Sequence, residues 1–437
     1  MKTTDAAGVK QNVSLLGMPK EHDWILAASY LDKTFIRDPL AYHMSRQMGN
    51  FASRTVHCES ILNDVYQGIY ILQEQIKPDK NRLNITKMTS EDNEGEALTG
   101  GYIYEVAQSG ENFGNRRRFK YPKGKDITQE QTNYIKRYDD AFRTVMKGTD
   151  YADSENGYAA WIDSDSFVDE VLLQEACKNS DAFGWSSYYH KDRSGKLKAG
   201  PVWDFDQALS NSVFNNGPDF TEWVTLSSER IQEAADSHPP HWRKLFYDER
   251  FQKKMVVRWN QLRKTVFKTD SLFHYIDSLA SGLDEAQARN FETWNILGKS
   301  TIRSTPGFEA RDTYQKEVDY LKEFLKNRLE WMDLQLVADE EVVTSLKQDD
   351  LEYKLTTFAN PFSSFTIISY SLSKPGFVKL EILDLDGKHI ETLVDSFQNV
   401  EDYAIQYNAQ NLSDGVYFYR LIVENRIVKT KKMVVRH

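Results

Sequence analysis

Near Thr356 the hydrophobic period of this chain changes, and that change limits each half to a different kind of fold. Downstream, "FVKLEILDLDGKHIETLV" alternates, with Val378, Leu380 and Ile382 on one face and Lys379 and Glu381 on the other. Asp386-Gly387 is a strong hairpin turn. "DGVYFYRLIVENRIVKTKKMVV" reads as two more strands around Glu424-Asn425. Roughly 80 residues of short, regularly spaced strands predict a small all-β sandwich over 356–437. The acidic run "ADEEVVTSLKQDDLE" reads as a linker, assigned to 336–355.

Upstream, residues 1–335 mix both periods. "SRTVHCESILNDVYQGIYILQEQI" holds two strand-like runs around Asn63-Asp64. "DITQEQTNYIKRYDDAFRTVM" predicts an amphipathic helix opening at Thr128, with Ile127, Tyr134, Ile135, Tyr138 and Phe142 in one stripe. "DSFVDEVLLQEACKN" predicts a second helix. "YDERFQKKMVVRWNQLRKTVF", "TDSLFHYIDSLASGLDEAQARNF" and "YQKEVDYLKEFLKNRLEWMDLQL" predict three long ones. The mixture argues for an α+β domain, a sheet-containing core with a helical bundle against it. There is no internal repeat.

Composition removes several classes of function. The 437 residues carry 55 Lys+Arg against 65 Asp+Glu, a net charge of −10 with no dominant basic block. That balance argues against nucleic-acid binding. Mean hydropathy is −0.61. No run approaches the roughly 18–20 apolar residues of a membrane span, so no transmembrane segment is expected. Cys58 and Cys177 form neither a CxxC pair nor a zinc pattern and read as free thiols. The opening residues lack a basic-then-apolar leader, so as written the chain is expected to stay in the cytosol.

The chemistry concentrates in "NSDAFGWSSYYHKDRSGKLKAGPVWDFDQAL", residues 179–209. "SSYYH" and "LKAGPVW" read as strands flanking the turn "KDRSGK". A hairpin returns the chain to its start, which brings Asp181 towards Asp204 and Asp206. In phosphoryl transfer one Asp orients or deprotonates the attacking hydroxyl, and a second, after a hairpin, holds Mg²⁺. Ser186 stands five positions after Asp181, where a second metal ligand often sits. The plainer reading is also open: Asp181 caps a turn, Asp192 does only that, and Trp203 and Phe205 are packing residues. His57 and His190 read as structural. A carboxylate-pair glycosidase stays open as well, because the sequence does not give the separation of the acids. No Gly-rich phosphate loop, HExxH or GxSxG occurs.

These residues resemble the CotH kinase-like family. "KNSDAF" with "GPVWDFDQAL", "VYQGIYILQEQIKPDKNRLNI", "TGGYIYEV", "FKYPKGKDITQEQTNYI", "WIDSDSFVDEVLLQEACKN" and "ARNFETWNILG" carry the resemblance, from about Leu15 to about Asp333. It implies an atypical protein-kinase-like core that transfers phosphate from ATP to Ser or Thr of a protein substrate with Mg²⁺. In that scheme Asp181 matches the catalytic Asp, and Asp204, Asp206 and Ser186 match metal-binding positions. Glu74 falls on an "E-x-I" motif, and Lys77 and Lys123 are basic candidates for phosphate contact. Ser186 replaces the amide of spore-coat members. Relatives carry a Gly-Ser-Ser turn and basic residues upstream, so the resemblance also implies an N-terminally truncated chain.

The tail, through Asn360-Pro361-Phe362, Asp386-Gly387-Lys388, Gly415-Val416-Tyr417 and "KTKKMVV", resembles the C-terminal sorting domain of the type IX secretion system. It implies the secretion machinery as a partner and a destination at the outer-membrane surface or beyond. Two functional readings follow: a secreted CotH-like kinase, or a non-catalytic surface protein that keeps the fold.

Overall fold

The structure, a computed structural model, describes residues 1–107, 116–153, 156–227, 242–337, 353–358, 360–372, 374–385, 387–424 and 426–437. It divides into two compact units, Met1–Val337 and Ala338–His437. Residues 338–352, most of the expected linker, and the turn residues Asp386 and Asn425 lie outside the described residues.

The first unit is a mixture of helix and antiparallel sheet. One sheet has the order β1-β3-β2, from Trp24–Ala28 (β1), Thr55–Leu62 (β2) and Val65–Glu74 (β3). Asn63 and Asp64 close the β2–β3 hairpin with φ of 50° and 63°. Both residues tolerate the left-handed region that such a two-residue turn requires. Gly68 on β3 has φ of 98°, and a Cβ there would lie 2.5 Å from Asn290 Oδ1. That oxygen accepts a hydrogen bond from the Ile69 N–H at 3.0 Å, so a helix docks side-on to the strand only over a glycine.

The second sheet, β5-β4-β6-β7, combines Tyr102–Val106 (β4), Arg117–Tyr121 (β5), Ser187–Lys191 (β6) and Lys198–Ala199 (β7). The expected 186–203 hairpin is present, its first strand beginning at Ser187. Its second strand stops at Ala199, and Pro201 just beyond has no N–H to continue the ladder.

Among the described residues, seven longer helices supply much of the core: Arg37–Gln47 (α1), Gln129–Lys147 (α2), Ser164–Ala176 (α3), Glu249–Arg263 (α4), Thr269–Gly282 (α5), Asp284–Thr293 (α6) and Tyr314–Gln335 (α7). Thr128 caps α2 in a reciprocal capping box with Gln131, which satisfies two otherwise orphaned donors. Ile135 and Phe142 are buried as the stripe requires. The single helix expected over 269–291 is instead two. The chain leaves the helical path at Leu283, whose side chain turns into the core at 3% exposure.

In the second unit, Tyr353–Phe358 (β8), Phe365–Leu372 (β9) and Asp402–Asn408 (β12) form the sheet β12-β9-β8. Gly376–Leu383 (β10), His389–Gln398 (β11), Gly415–Val423 (β13) and Arg426–Val435 (β14) form β11-β10-β13-β14. Both sheets contribute to one core, which includes Ile368, Leu380 and Leu421. Val378, Leu380 and Ile382 are buried as the alternation predicts. Glu381, expected on the open face, is buried too, because Arg420 on β13 lies opposite it and its Nη2 reaches the carboxylate at 2.7 Å.

Candidate active site

Three sequence-predicted residues line one cleft of about 380 Å³: Asp181, Ser186 and Asp204. Helix α3 runs into the segment carrying Asp181, and the β6–β7 hairpin returns to Asp204. Ser186 Oγ donates to Asp204 Oδ2 at 2.9 Å, so both ends of the hairpin meet.

Helix α1 sets the D-F-D turn. Its Asp38 carboxylate accepts the Phe205 N–H at 2.6 Å, and the Tyr42 hydroxyl accepts the Asp204 N–H at 3.1 Å. Arg37, salt-bridged to Asp32 at 2.6 Å, donates to the Ala208 and Leu209 carbonyls at 2.9 and 3.1 Å. These bonds hold Asp204 at a φ of 66°, a region that L residues adopt only when their surroundings over-determine it. Phe205 is fully buried and Trp203 stacks on Tyr42 with centroids 6.0 Å apart, so both are packing residues.

Asp181 is oriented by a side chain that sequence reasoning missed. Gln207 Nε2 donates to Asp181 Oδ2 at 2.7 Å, while Gln207 Oε1 accepts from Arg303. The arginine fixes which end of the amide faces the aspartate. Gln207 directly follows the D-F-D motif, and that position was the available signal. Glu105 and Arg118 also line the cleft and pair with each other, and Lys120 lies 3.0 Å from the same carboxylate. Glu105 was missed as well; the available signal was one acid inside the apolar strand "YIYEV".

The acids here repel one another. Burial, then the charges of Asp204 and Asp38, push the Asp206 carboxyl up to about 8. Burial and Asp204 push Asp38 up to about 7. Asp204 is raised as well, by burial first and Asp181 next among the raising causes. Folded-state values above the ordinary carboxylate range mean that the folded chain holds more protons near neutrality. Stability therefore falls as pH rises through these values. Between pH 6.5 and 8 the unfolding free energy is expected to drop by about 1–2 kcal/mol more in the wild type than in Asp206→Asn. Urea titrations of both proteins across that window measure the difference, and parallel curves would refute it.

Asp206 flanks the cleft without lining it. The remaining sequence-predicted residues also lie outside its lining. Glu74 is fully buried, with Arg54 Nη2 at 3.0 Å and Arg82 Nε at 3.7 Å. The Lys77 ammonium sits 3.0 Å from both Glu21 and Asp23. Lys123 is exposed in the loop after β5. Among the described residues, the basic groups lining the cleft are Arg118 and Arg303. Among the described residues, the three metal-type side chains whose donors converge within 4.8 Å are Glu21, His22 and Asp23, where Lys77 already supplies the positive charge. Cys58 and Cys177 are free thiols, and His57 and His190 bond the Phe35 and Gly200 carbonyls at 2.7 and 2.9 Å. Asp192 does more than cap its turn, since its Oδ1 also accepts the Thr86 N–H at 2.9 Å.

No helix among the described residues is long and apolar enough to cross a membrane. The family described as CotH kinase protein matches residues 3–332, and the secretion system C-terminal sorting domain matches 356–436. No curated protein matches the chain. Among solved structures, the Pseudomonas fluorescens alkylpurine DNA glycosylase AlkC, bound to DNA containing an abasic site analog, is similar at 9% identity over 49% of this chain and 70% of that one. Its TM-score of 0.16 establishes no shared fold. The sorting domain indicates type IX secretion to the cell surface or outside, with the secretion machinery as partner. From its matched residues, the chain belongs to the CotH kinase protein family.

Proposed function

We propose that this chain is an atypical, protein-kinase-like phosphotransferase that uses Mg²⁺ and ATP to modify a Ser or Thr hydroxyl of a protein substrate. Its catalytic domain is assigned to 1–335, joined by a linker over 336–355 to the sorting domain at 356–437. The observation carrying this reading is the shared cleft of Asp181, Ser186 and Asp204, in a chain of the CotH kinase protein family.

The donor set fits a hard divalent cation. Asp204, Ser186 and Asp206 offer only oxygen, and the raised carboxyls of Asp204 and Asp206 mark a concentration of negative charge that a cation relieves. When bound, Mg²⁺ with ATP supplies the phosphoryl group and neutralises its charge. Asp181, held by Gln207, accepts a hydrogen bond from the acceptor hydroxyl and takes its proton. Arg303 and Arg118, the arginines of the cleft lining, would hold the phosphate oxygens, the role the resemblance had offered to Lys77 and Lys123.

Calorimetry of Mg-ATP on the full chain and on Asp204→Ala tests the reading. Removing one metal carboxylate is expected to weaken binding at least about tenfold, or roughly 1.4 kcal/mol. No binding by the intact chain, or equal binding by the variant, would leave the non-catalytic surface protein as the better account. One observation favours that alternative: Glu105 already neutralises Arg118 and Lys120.

A further inference from the structure

A second cavity, of about 490 Å³, shares no lining residue with the cleft. Helix α3 and the β6–β7 hairpin bound it. Its acids are Asp163, Asp165, Asp169 and Glu170. Three of the four are neutralised: Asp163 by Lys198 at 3.3 Å, Asp165 by Lys254 at 2.6 Å, and Asp169 by Arg258 at 2.7 Å. Arg82, also at the wall, is engaged with Glu74.

Glu170 has no such counter-charge among the described residues. It is 8% exposed, and its Oε1 accepts only the neutral Gln174 amide at 2.8 Å. Its Oε2 has no partner among the described residues. Burial pushes this carboxyl up to about 7, as expected for a desolvated acid without a cation. His190 lines the same cavity. Its Nδ1 bonds the Gly200 carbonyl at 2.9 Å; a carbonyl only accepts, so Nδ1 carries the proton and Nε2 is left bare. Ser166 is already used twice, donating to the Asp163 carbonyl and accepting from the Ala199 N–H.

With Glu170 ionised, it and His190 therefore offer the cavity acceptors only. An anion is repelled by them, and two donors are too few for a divalent metal cage. We propose that this cavity binds a single guanidinium or primary ammonium group, held by the Glu170 carboxylate and the bare imidazole nitrogen of His190. A desolvated carboxylate gives such a cation a short, charge-assisted hydrogen bond. The cation is either a small free amine or the end of a lysine or arginine side chain on a polypeptide.

The test is calorimetric titration of ethylguanidinium and n-butylammonium into the full chain, Glu170→Gln and Asp204→Asn. Glu170→Gln keeps the shape and the oxygen that Gln174 bonds, and removes only the charge. Saturable binding is expected in the wild type and in Asp204→Asn, at least tenfold weaker in Glu170→Gln. Three results would overturn the proposal: no saturable binding, equal binding by Glu170→Gln, or loss in Asp204→Asn alone, which places the cation in the cleft. An NMR titration of the unmutated chain adds a check that needs no variant. The His190 ring resonances shift on saturation if the site is real, and unmoved resonances refute it. The tripeptides Gly-Lys-Gly and Gly-Arg-Gly separate the sources. Binding at least as tight as that of the free cations assigns the occupant to a polypeptide, and exclusion of the peptides assigns it to a small amine.

Discussion

Arg328→Met is expected to destabilise the first unit by about 3–5 kcal/mol, since removing one partner of a buried ion pair leaves its counter-charge uncompensated. Arg328, on α7, is fully buried, and its Nη2 lies 2.9 Å from Glu175 Oε2 on α3. Its Nε donates to the Glu175 carbonyl at 2.8 Å, and Nη1 donates to the Phe220 and Glu222 carbonyls at 2.8 and 2.7 Å. The guanidinium also lies over the Trp331 ring, 4.6 Å from its centroid. Methionine fills much of the space and satisfies none of these acceptors. Glu175 keeps the Val224 and Thr225 N–H groups, at 2.8 and 2.7 Å, and loses its only ion-pair partner among the described residues. Urea unfolding followed by tryptophan fluorescence measures the loss, and a change under about 1 kcal/mol would refute the account. Adding Glu175→Gln to Arg328→Met is expected to recover part of the loss, because the carboxylate is then neutral. The clasp matters beyond stability: α3 leads directly to Asp181, so a slack α3 displaces the cleft.

What the sequence made legible follows from locality. The α2 capping box spans four adjacent residues, and the Asn63-Asp64 turn is decided by two, so local chemistry suffices for each. The meeting of Asp181 with Asp204 was legible because a hairpin is itself local. The partners of single polar residues were not. Glu381 looked exposed on its own strand because its partner Arg420 lies on another. Lys77 looked free because Glu21 and Asp23 are far away in sequence. Arg303, which orients Gln207 in the cleft, sits in "STIRSTPG", a loop with no periodic signal. The break at Leu283 also went unseen, since an apolar residue continues the helical stripe whether or not the axis bends there. Sequence therefore placed Asp181 near Asp204 and missed Glu105, Gln207 and Arg303, which share the cleft with them.

Asp181→Asn is expected to lower phosphoryl transfer by about 10²–10⁴-fold, the usual contribution of a positioned general base. The amide keeps the size of the side chain and cannot take a proton. Its oxygen still accepts from Gln207 Nε2, which stands 2.7 Å from the native carboxylate, so the local fold has a route to remain intact. Mg-ATP affinity is expected to stay within about threefold, because Asp204, Ser186 and Asp206 are the proposed cation ligands and are unchanged. The measurement is transfer of labelled γ-phosphate to the chain itself or to an added protein acceptor, beside calorimetry on the same sample. Gln207→Leu separates positioning from chemistry. It leaves the carboxylate in place without its guide, so the transfer rate falls less than in Asp181→Asn and its pH profile moves. Full transfer by Asp181→Asn would remove Asp181 as the base. Loss of nucleotide binding together with transfer would assign Asp181 to the cation instead, making Asp181, Ser186 and Asp204 one binding cluster rather than a base facing a metal.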